Sequence, residues 1–397
     1  MQKKKILAVT TGRADFGILT PLLTRLSSNV VIDLHIAVTG SHLYHSHGYT
    51  LTEVKKHNFK HIEIIDICQK KDKEHDICMS ISKGQAIFSQ LYQKMNPDLL
   101  LVLGDRYELW ACCIPAVIHK IPIAHIHGGE ATFGQIDDPV RHSITKMAQI
   151  HFASIDEYGK RIIQMGENPE NVFVVGAMGL DNIKQISLMP VNELSKITGV
   201  NFEKDVALLT YHPVTLDDYS MAIRQITEVM DAILSIECFT IISMSNTDPA
   251  GKSIYNKITD YASRYPEKIK LIKNAGQRVY LSSMKHSKIM IGNSSSGIIE
   301  SASFKLPVVN IGDRQAGRFK PQNVIDCECK TDMIIQAVNR ALSENFKQSI
   351  SNLINPYGDG CSANRIVNIL ESLDIKNKTK YLKKGFYSIK FPNIEKS

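Results

Sequence analysis

Short apolar runs of strand length alternate with longer segments of helical period along most of the chain, and this alternation is what limits the fold. Residues 5–11, 30–38, 61–66, 98–103, 121–126 and 172–175 read as strands buried on both faces, since they lack the polar alternation of a half-exposed sheet. Between them, residues 16–27, 49–58, 74–96, 106–119, 139–148 and 156–166 carry apolar positions three and four apart, which predicts helices. A repeated strand and helix builds a parallel sheet covered on both faces. After the polar stretch 183–203 the series restarts, with strands expected at 206–210, 239–243, 269–272, 289–291 and 308–311. The expectation is α/β: two Rossmann-like, doubly wound domains facing a cleft, 1–178 and 179–362. A terminal helix near 363–373 and a basic tail complete the chain over 363–397.

Composition agrees with two domains and removes several classes. The 397 residues are 43% hydrophobic and 22% charged, which excludes disorder and collagen-like repetition. No window holds the roughly 18 apolar residues of a membrane span, and the apolar run after the basic start is too short for a signal-peptide core. A cytoplasmic protein is expected. The eight cysteines show no C-x-x-C spacing and read as small buried thiols. Of the net charge of +7, residues 375–397 supply +6 through seven Lys and one Glu, so the body is nearly neutral. That reads as a solvated terminus, and no nucleic-acid partner is expected.

Polar and glycine-containing turns follow the strands. Gly12-Arg-Ala-Asp-Phe-Gly17 stands where a dinucleotide-binding G-x-G-x-x-G would, with charges in place of the middle glycines. Arg13 at a helix start suits a diphosphate; the other reading is an Arg13–Asp15 turn without a ligand. Gly104-Asp-Arg-Tyr-Glu108 makes Asp105 a candidate base. In His125-Ile-His-Gly-Gly-Glu130, His127 reads as a ligand-facing imidazole beside a Gly-Gly turn, and no third metal ligand stands at a diagnostic spacing. Asp137, two residues before Pro139, is either a plain helix cap or an acid or base. His42, His45 and His47 read as solvated loop histidines. In the second half, His212 is held extended by the following Pro, and Ile291-Gly-Asn-Ser-Ser-Ser-Gly-Ile-Ile-Glu300 places hydroxyls and free N–H groups at a helix start. Glu300 is expected about a turn and a half into that helix, able to accept ribose hydroxyls. Gly312-Asp-Arg-Gln-Ala-Gly-Arg318 adds two cations.

Together these motifs resemble the hydrolysing UDP-N-acetylglucosamine 2-epimerases, in the family's order from about residue 6 to residue 363. The resemblance implies the two-domain glycosyltransferase B fold with UDP in the second domain. It implies conversion of UDP-N-acetylglucosamine and water to N-acetylmannosamine and UDP, for sialic acid synthesis, with no cofactor and no metal. Its nucleotide contacts fall on Arg13, Arg106, His212, Asn293, Ser294, Ser295, Glu300 and Arg314, and its catalytic acids on Asp105 and Asp137. Many members carry Glu directly before the Gly-Gly pair, where this chain has His127, so that proton-transfer role passes to His127 or to Glu130. Relatives form homodimers or homotetramers. The alternatives are a hydrolysing 2-epimerase acting on UDP-2,4-diacetamido-2,4,6-trideoxyglucose, and a glycosyltransferase on the same fold.

Overall fold

The computed structural model describes residues 3–44, 49–67, 73–133, 135–212, 219–244, 251–273 and 276–389. It falls into two compact units. One holds residues 1–130, 137–181 and 358–397; the other holds 131–136 and 182–357.

The first unit is a sheet of seven parallel strands. In chain order its elements are β1 (Lys4–Thr10), α1 (Arg13–Ser27), β2 (Ile32–Val38), α2 (Leu51–Lys56), β3 (Ile62–Ile64), α3 (Glu74–Met95), β4 (Leu99–Leu103), α4 (Glu108–Ile118), β5 (Ile123–Ile126), α5 (Asp137–Met147), β6 (Ile150–Ala153), α6 (Asp156–Gln164) and β7 (Val172–Val174). The strand order β3-β2-β1-β4-β5-β6-β7 reverses direction between β1 and β4. Every residue of β4 and β5 is buried, as their unbroken apolar runs require. One face packs Leu19, Leu22, Leu23 and Leu26 of α1 on Ile6, Ile36 and Leu101. The opposite face packs Phe88, Tyr92 and Cys112 on Leu7, Leu100 and Val102.

Two helices follow, α7 (Gly179–Gln185) and α8 (Val191–Thr198), in a stretch whose polarity reads as connection; α8 buries Leu194 and Thr198 and ends at the left-handed Gly199. The second sheet comprises β8 (Val206–Thr210), α9 (Tyr219–Ser235), β9 (Phe239–Met244), α10 (Gly251–Arg264), β10 (Ile269–Lys273), α11 (Gly276–His286), β11 (Ile289–Gly292), α12 (Ser296–Ile299), β12 (Val308–Ile311) and β13 (Val324–Cys327). Its order, β10-β9-β8-β11-β12-β13, again parallel throughout, reverses between β8 and β11. Helices α13 (Thr331–Leu342) and α14 (Glu344–Ser349) close this unit.

The chain then returns to the first unit. Helix α15 (Ser362–Ser372) packs Ile366 and Leu370 into the same core as α1. Its first N–H groups, on Ser362 and Ala363, are capped by the buried carboxylate of Asp181 at 3.0 and 2.9 Å. At its other end Lys4 Nζ donates to the carbonyls of Leu370 and Leu373, where a cation matches the helix dipole. Helix α16 (Lys378–Leu382) follows, burying Tyr381. The basic tail is therefore not wholly solvated: through residue 387 it lies on the first unit, and residues 390–397 fall outside the described ones. Tyr387 N–H donates to Gly166 O at 2.9 Å. The ring of Phe386 fills the space a Cβ at Gly166 would take. Lys384 Nζ reaches the buried Glu167 at 2.7 Å, where Lys146 (2.6 Å) and His151 Nε2 (3.1 Å) also meet the carboxylate.

Burial alone raises the Glu167 pKa, but its bonds to His151, Lys146 and Lys384 outweigh that and hold it down at about 2. The stability this carboxylate contributes is complete above its ordinary value of 4.5 and is lost as pH falls toward 2. Glu167→Gln is expected to remove that acid limb from the pH dependence of urea unfolding and to speed proteolytic trimming of the segment after residue 382.

Candidate active site

Both direction reversals leave a crevice at the carboxyl ends of adjacent parallel strands, where polar turns collect. In the first unit this is the end of β1 and β4. The turn after β1 is fixed by Asp15, whose carboxylate accepts the N–H groups of Thr11 and Gly12 at 2.6 and 2.7 Å. Burial raises the Asp15 pKa against the pull of these donors. Arg13, half exposed beside this turn, reaches Glu53 at 3.4 Å. The next strand end supplies Arg106, whose fork grips the buried Glu108 at 2.6 and 3.1 Å. Burial works against the Arg106 charge, while Glu108 and then Asp15 more than restore it, so its pKa lies above the usual arginine value.

His42 departs from its reading as a solvated loop residue. It is fully buried, bonded to Thr10 Oγ1 at 3.0 Å and to Thr50 Oγ1 at 2.7 Å, and burial lowers its pKa to about 4. The hydroxyl partners explain the difference, since they let a neutral imidazole enter the interior. His45 and His47 lie outside the described residues.

Asp105, partly exposed at the end of β4, forms an ion pair with Arg141. Arg141 is 1% exposed, lies on α5, and also meets Asp138 at 3.0 Å and the Glu130 carbonyl at 3.1 Å. One guanidinium thus ties the turn after β4, the turn after β5 and the start of α5. His125, buried and with its pKa lowered to about 3 by burial, supports the same turn through Nε2–H to Gly104 O at 2.8 Å.

His127 adopts the left-handed conformation, φ 64°, and its Nε2 accepts the Met178 N–H at 3.1 Å. Its proton therefore sits on Nδ1, 3.3 Å from the buried carboxylate of Glu130, which also accepts Ser154 Oγ–H at 3.1 Å. That pairing suits an orienting role for the imidazole. Asp137 is the first residue of α5 and is exposed; its neighbour Asp138 bonds Arg141.

In the second unit the crevice lies at the ends of β8 and β11. Gly292 closes β11 at φ 131°, and a Cβ there would meet Thr210 O at 2.0 Å, so only glycine fits. The next residue, Asn293, joins the two strand ends: its Oδ1 accepts His212 N–H and its Nδ2 donates to His212 O, each at 2.8 Å. Its carbonyl accepts from Arg314 at 2.9 Å and Gln315 at 2.8 Å. Burial and then the Arg314 charge lower the His212 pKa to about 4, leaving a neutral ring. Ser294 and Ser296 stand beside the buried phenol of Tyr280, whose pKa burial raises. Helix α12 begins after Ser295 and lasts four residues, so Glu300 is its C-cap rather than lying a turn and a half inside a longer helix. Pro213–Thr215 of the His-Pro motif lie outside the described residues.

Within the first unit the structure gathers Asp105, Glu130 and His127, and places Arg106 with the turn before Arg13. Within the second it gathers His212, Asn293 and Arg314, followed by the serines. Sequence reasoning missed Asp138, Arg141, His125, Gln315 and Tyr280. An Asp and an Arg three apart near the start of one helix was the available signal for two of them.

A family model described as UDP-N-acetylglucosamine 2-epimerase matches residues 24–371. The chain is 37% identical over 351 residues to the GDP/UDP-N,N'-diacetylbacillosamine 2-epimerase (hydrolyzing) of Campylobacter jejuni, covering 88% of this chain and 90% of that protein. It is also 37% identical over 389 residues to the polysialic acid biosynthesis protein P7 of Escherichia coli, covering 97% and 98%. Among solved structures it is similar to the UDP-GlcNAc 2-epimerase from Neisseria meningitidis bound to UDP-GlcNAc, with a TM-score of 0.81 at 18% identity, over 93% of this chain and all of that one. That likeness, with the two parallel sheets, gives the glycosyltransferase B type of fold.

Replacing Arg141 by Ala would leave Asp105 and Asp138 without their counter-charge. A loss of about 2–3 kcal/mol in urea unfolding is expected, below the full cost of a buried ion because both carboxylates keep some solvent. Arg141→Lys keeps the charge without the fork and should fall between the two.

Proposed function

We propose that this chain, which belongs to the hydrolysing branch of the UDP-N-acetylglucosamine 2-epimerase family, converts UDP-N-acetylglucosamine and water to N-acetylmannosamine and UDP. The observation that carries the reading is Asp105 at the end of a central strand, held by a guanidinium that is itself tied to two other turns. A carboxylate so anchored is a positioned proton acceptor.

The chemistry has two steps. In the first, the C1–O bond to UDP and the C2–H bond break, the proton passes to a base and 2-acetamidoglucal forms. In the second, water adds to the double bond: its oxygen bonds C1 and a proton reaches C2 from the opposite face. We assign the two proton transfers to Asp105 and Asp137. Glu130, with His127 holding it, is assigned to the orientation of the reacting sugar. Arg13 and Arg106 are assigned to the leaving diphosphate, whose developing charge a preformed cation stabilises without reorganisation. His212, Asn293, Ser294, Ser295, Glu300 and Arg314 are assigned to the nucleotide. The Asn293 pairing supports this assignment, because it keeps the N–H groups of the serine loop in one arrangement with or without a ligand.

A second reading keeps the chemistry and changes the sugar to a UDP-2,4-diacetamido-trideoxy hexose, supported by the name of the Campylobacter jejuni relative. The match to the polysialic acid biosynthesis protein over 97% of this chain supports the first.

Incubation with UDP-N-acetylglucosamine in deuterated water, followed by NMR, is expected to give free N-acetylmannosamine deuterated at C2 together with UDP. No turnover of that sugar with turnover of the diacetamido analogue would replace the first reading by the second. Asp105→Asn is expected to lower turnover about a hundredfold or more, the usual worth of a general acid–base group, and a fully active variant would remove Asp105 from the mechanism.

A further inference from the structure

Asn293 fixes the backbone of the serine loop, but a serine hydroxyl still turns about its own bond, so a loop that takes an anion needs a group to aim its hydrogens. Tyr280 stands in that place. It lies on α11 between Arg278, whose Nε–H donates to Ser187 O at 2.8 Å, and Ser282, whose Oγ accepts the Met189 N–H at 2.9 Å. One turn further, His286 Nε2–H donates to Met189 O at 2.9 Å. The helix is thus pinned to the preceding stretch on both sides of the phenol, and the ring packs against the apolar cluster containing Leu208, Met284 and Met290. A group carried by a packed helix sets geometry more firmly than one on a loop.

The phenol oxygen meets hydroxyls from two separate segments of the chain. Thr210 Oγ1, at the end of β8, lies 3.3 Å away, and the side chains of Ser296 and Ser294 bond the same oxygen. The serines are also linked to each other: Ser294 Oγ and Ser296 Oγ are 3.3 Å apart, and the Ser296 N–H donates to Ser294 Oγ at 3.3 Å. Each hydroxyl in this network has a single hydrogen to give, so which one gives to which decides where the remaining hydrogens point. A phenol O–H is a stronger donor than an aliphatic one, and burial keeps this phenol protonated. Its hydrogen therefore goes to a serine oxygen, and the serine hydrogens are left to turn away from it. Hydroxyls whose oxygens are already served from behind suit a ligand that only accepts, as a diphosphate does.

We propose that Tyr280 is a positioning residue for the anionic end of the nucleotide: its O–H, donated to the serine pair, frees the Ser294 and Ser296 hydrogens for the oxygens of a bound diphosphate. The inference rests on the assignment of this loop to the nucleotide, and it adds the group that orients the loop's side-chain donors. Tyr280 needs no contact with the ligand; it acts through the two serines. The hydroxyls are then preset before the anion arrives, which spares the cost of turning them at the moment of binding.

The test is calorimetric titration of the full chain with UDP, and with uridine in competition against UDP, for the unaltered protein and for Tyr280→Phe. The substitution keeps the ring and its packing and removes only the hydroxyl. UDP is expected to bind the variant about tenfold more weakly, the worth of one hydrogen bond to a charged group, while uridine, which has no phosphate, keeps its affinity. Adding Tyr280→Phe to Ser294→Ala and Ser296→Ala should weaken UDP no further than the two alanines alone, because the phenol works through those hydroxyls. Equal losses for UDP and uridine, a further loss on top of the alanines, or an unchanged UDP affinity in the folded variant overturns the proposal. Should circular dichroism find Tyr280→Phe misfolded, Ser296→Ala must show the same selective loss of UDP over uridine in its place. Failure of the unaltered protein to bind UDP would instead remove the assignment of the loop to a nucleotide, and this inference with it.

Discussion

The buried guanidinium of Arg141 is the constraint on which the first unit's functional end depends. A charge that deep is tolerable only when its donors are occupied, and here the partners come from the turn after β4, the turn after β5 and the start of its own helix. The three turns are therefore not independent loops. Displacing any one leaves a desolvated cation, so their relative positions are held by an electrostatic penalty rather than by packing alone. Asp105 gains its placement from this. Its own strand has no polar residue, and nothing in β4 itself would aim a carboxylate.

The second unit solves the same problem with neutral groups. Asn293 matches both an N–H and a C=O of His212, the two donors and acceptors of a primary amide being the right complement for one residue of backbone. Gly292 permits it, because a strand end that passes so close to Thr210 O has no room for a side chain. One unit thus fixes its turns by a charge that must be neutralised, the other by an amide that must be paired.

Most of the architecture was legible because parallel strands covered on both faces are apolar throughout, and β1, β4, β5, β8 and β11 all carry that signature. Strands β6 and β13 were not legible. In β6, His151 interrupts the apolar run, and it is buried only because Glu167, seventeen residues after β6 begins, supplies its partner. In β13, Asp326 is exposed on an edge strand, which dilutes the pattern. The site residues fared similarly. The candidates within glycine-bearing motifs at strand ends were suggested by local order. Arg141, Asp138 and Tyr280 sit inside helices, and their importance arises from what faces them across the fold, which no local spacing records. His42 shows the converse: its loop position pointed to solvent, while Thr10 and Thr50 drew it inside.

The return of the chain to its first unit bears on how the protein is made. Helix α15 belongs to the core that α1 covers, yet it is synthesised some 350 residues after α1 begins. As the chain leaves the ribosome, the first sheet must wait with the groove for Ile366 and Leu370 open, while the almost contiguous second unit has all its strands and can close first. A growing chain of this kind carries an unsealed apolar surface from the completion of the first sheet until α15 emerges to cover it.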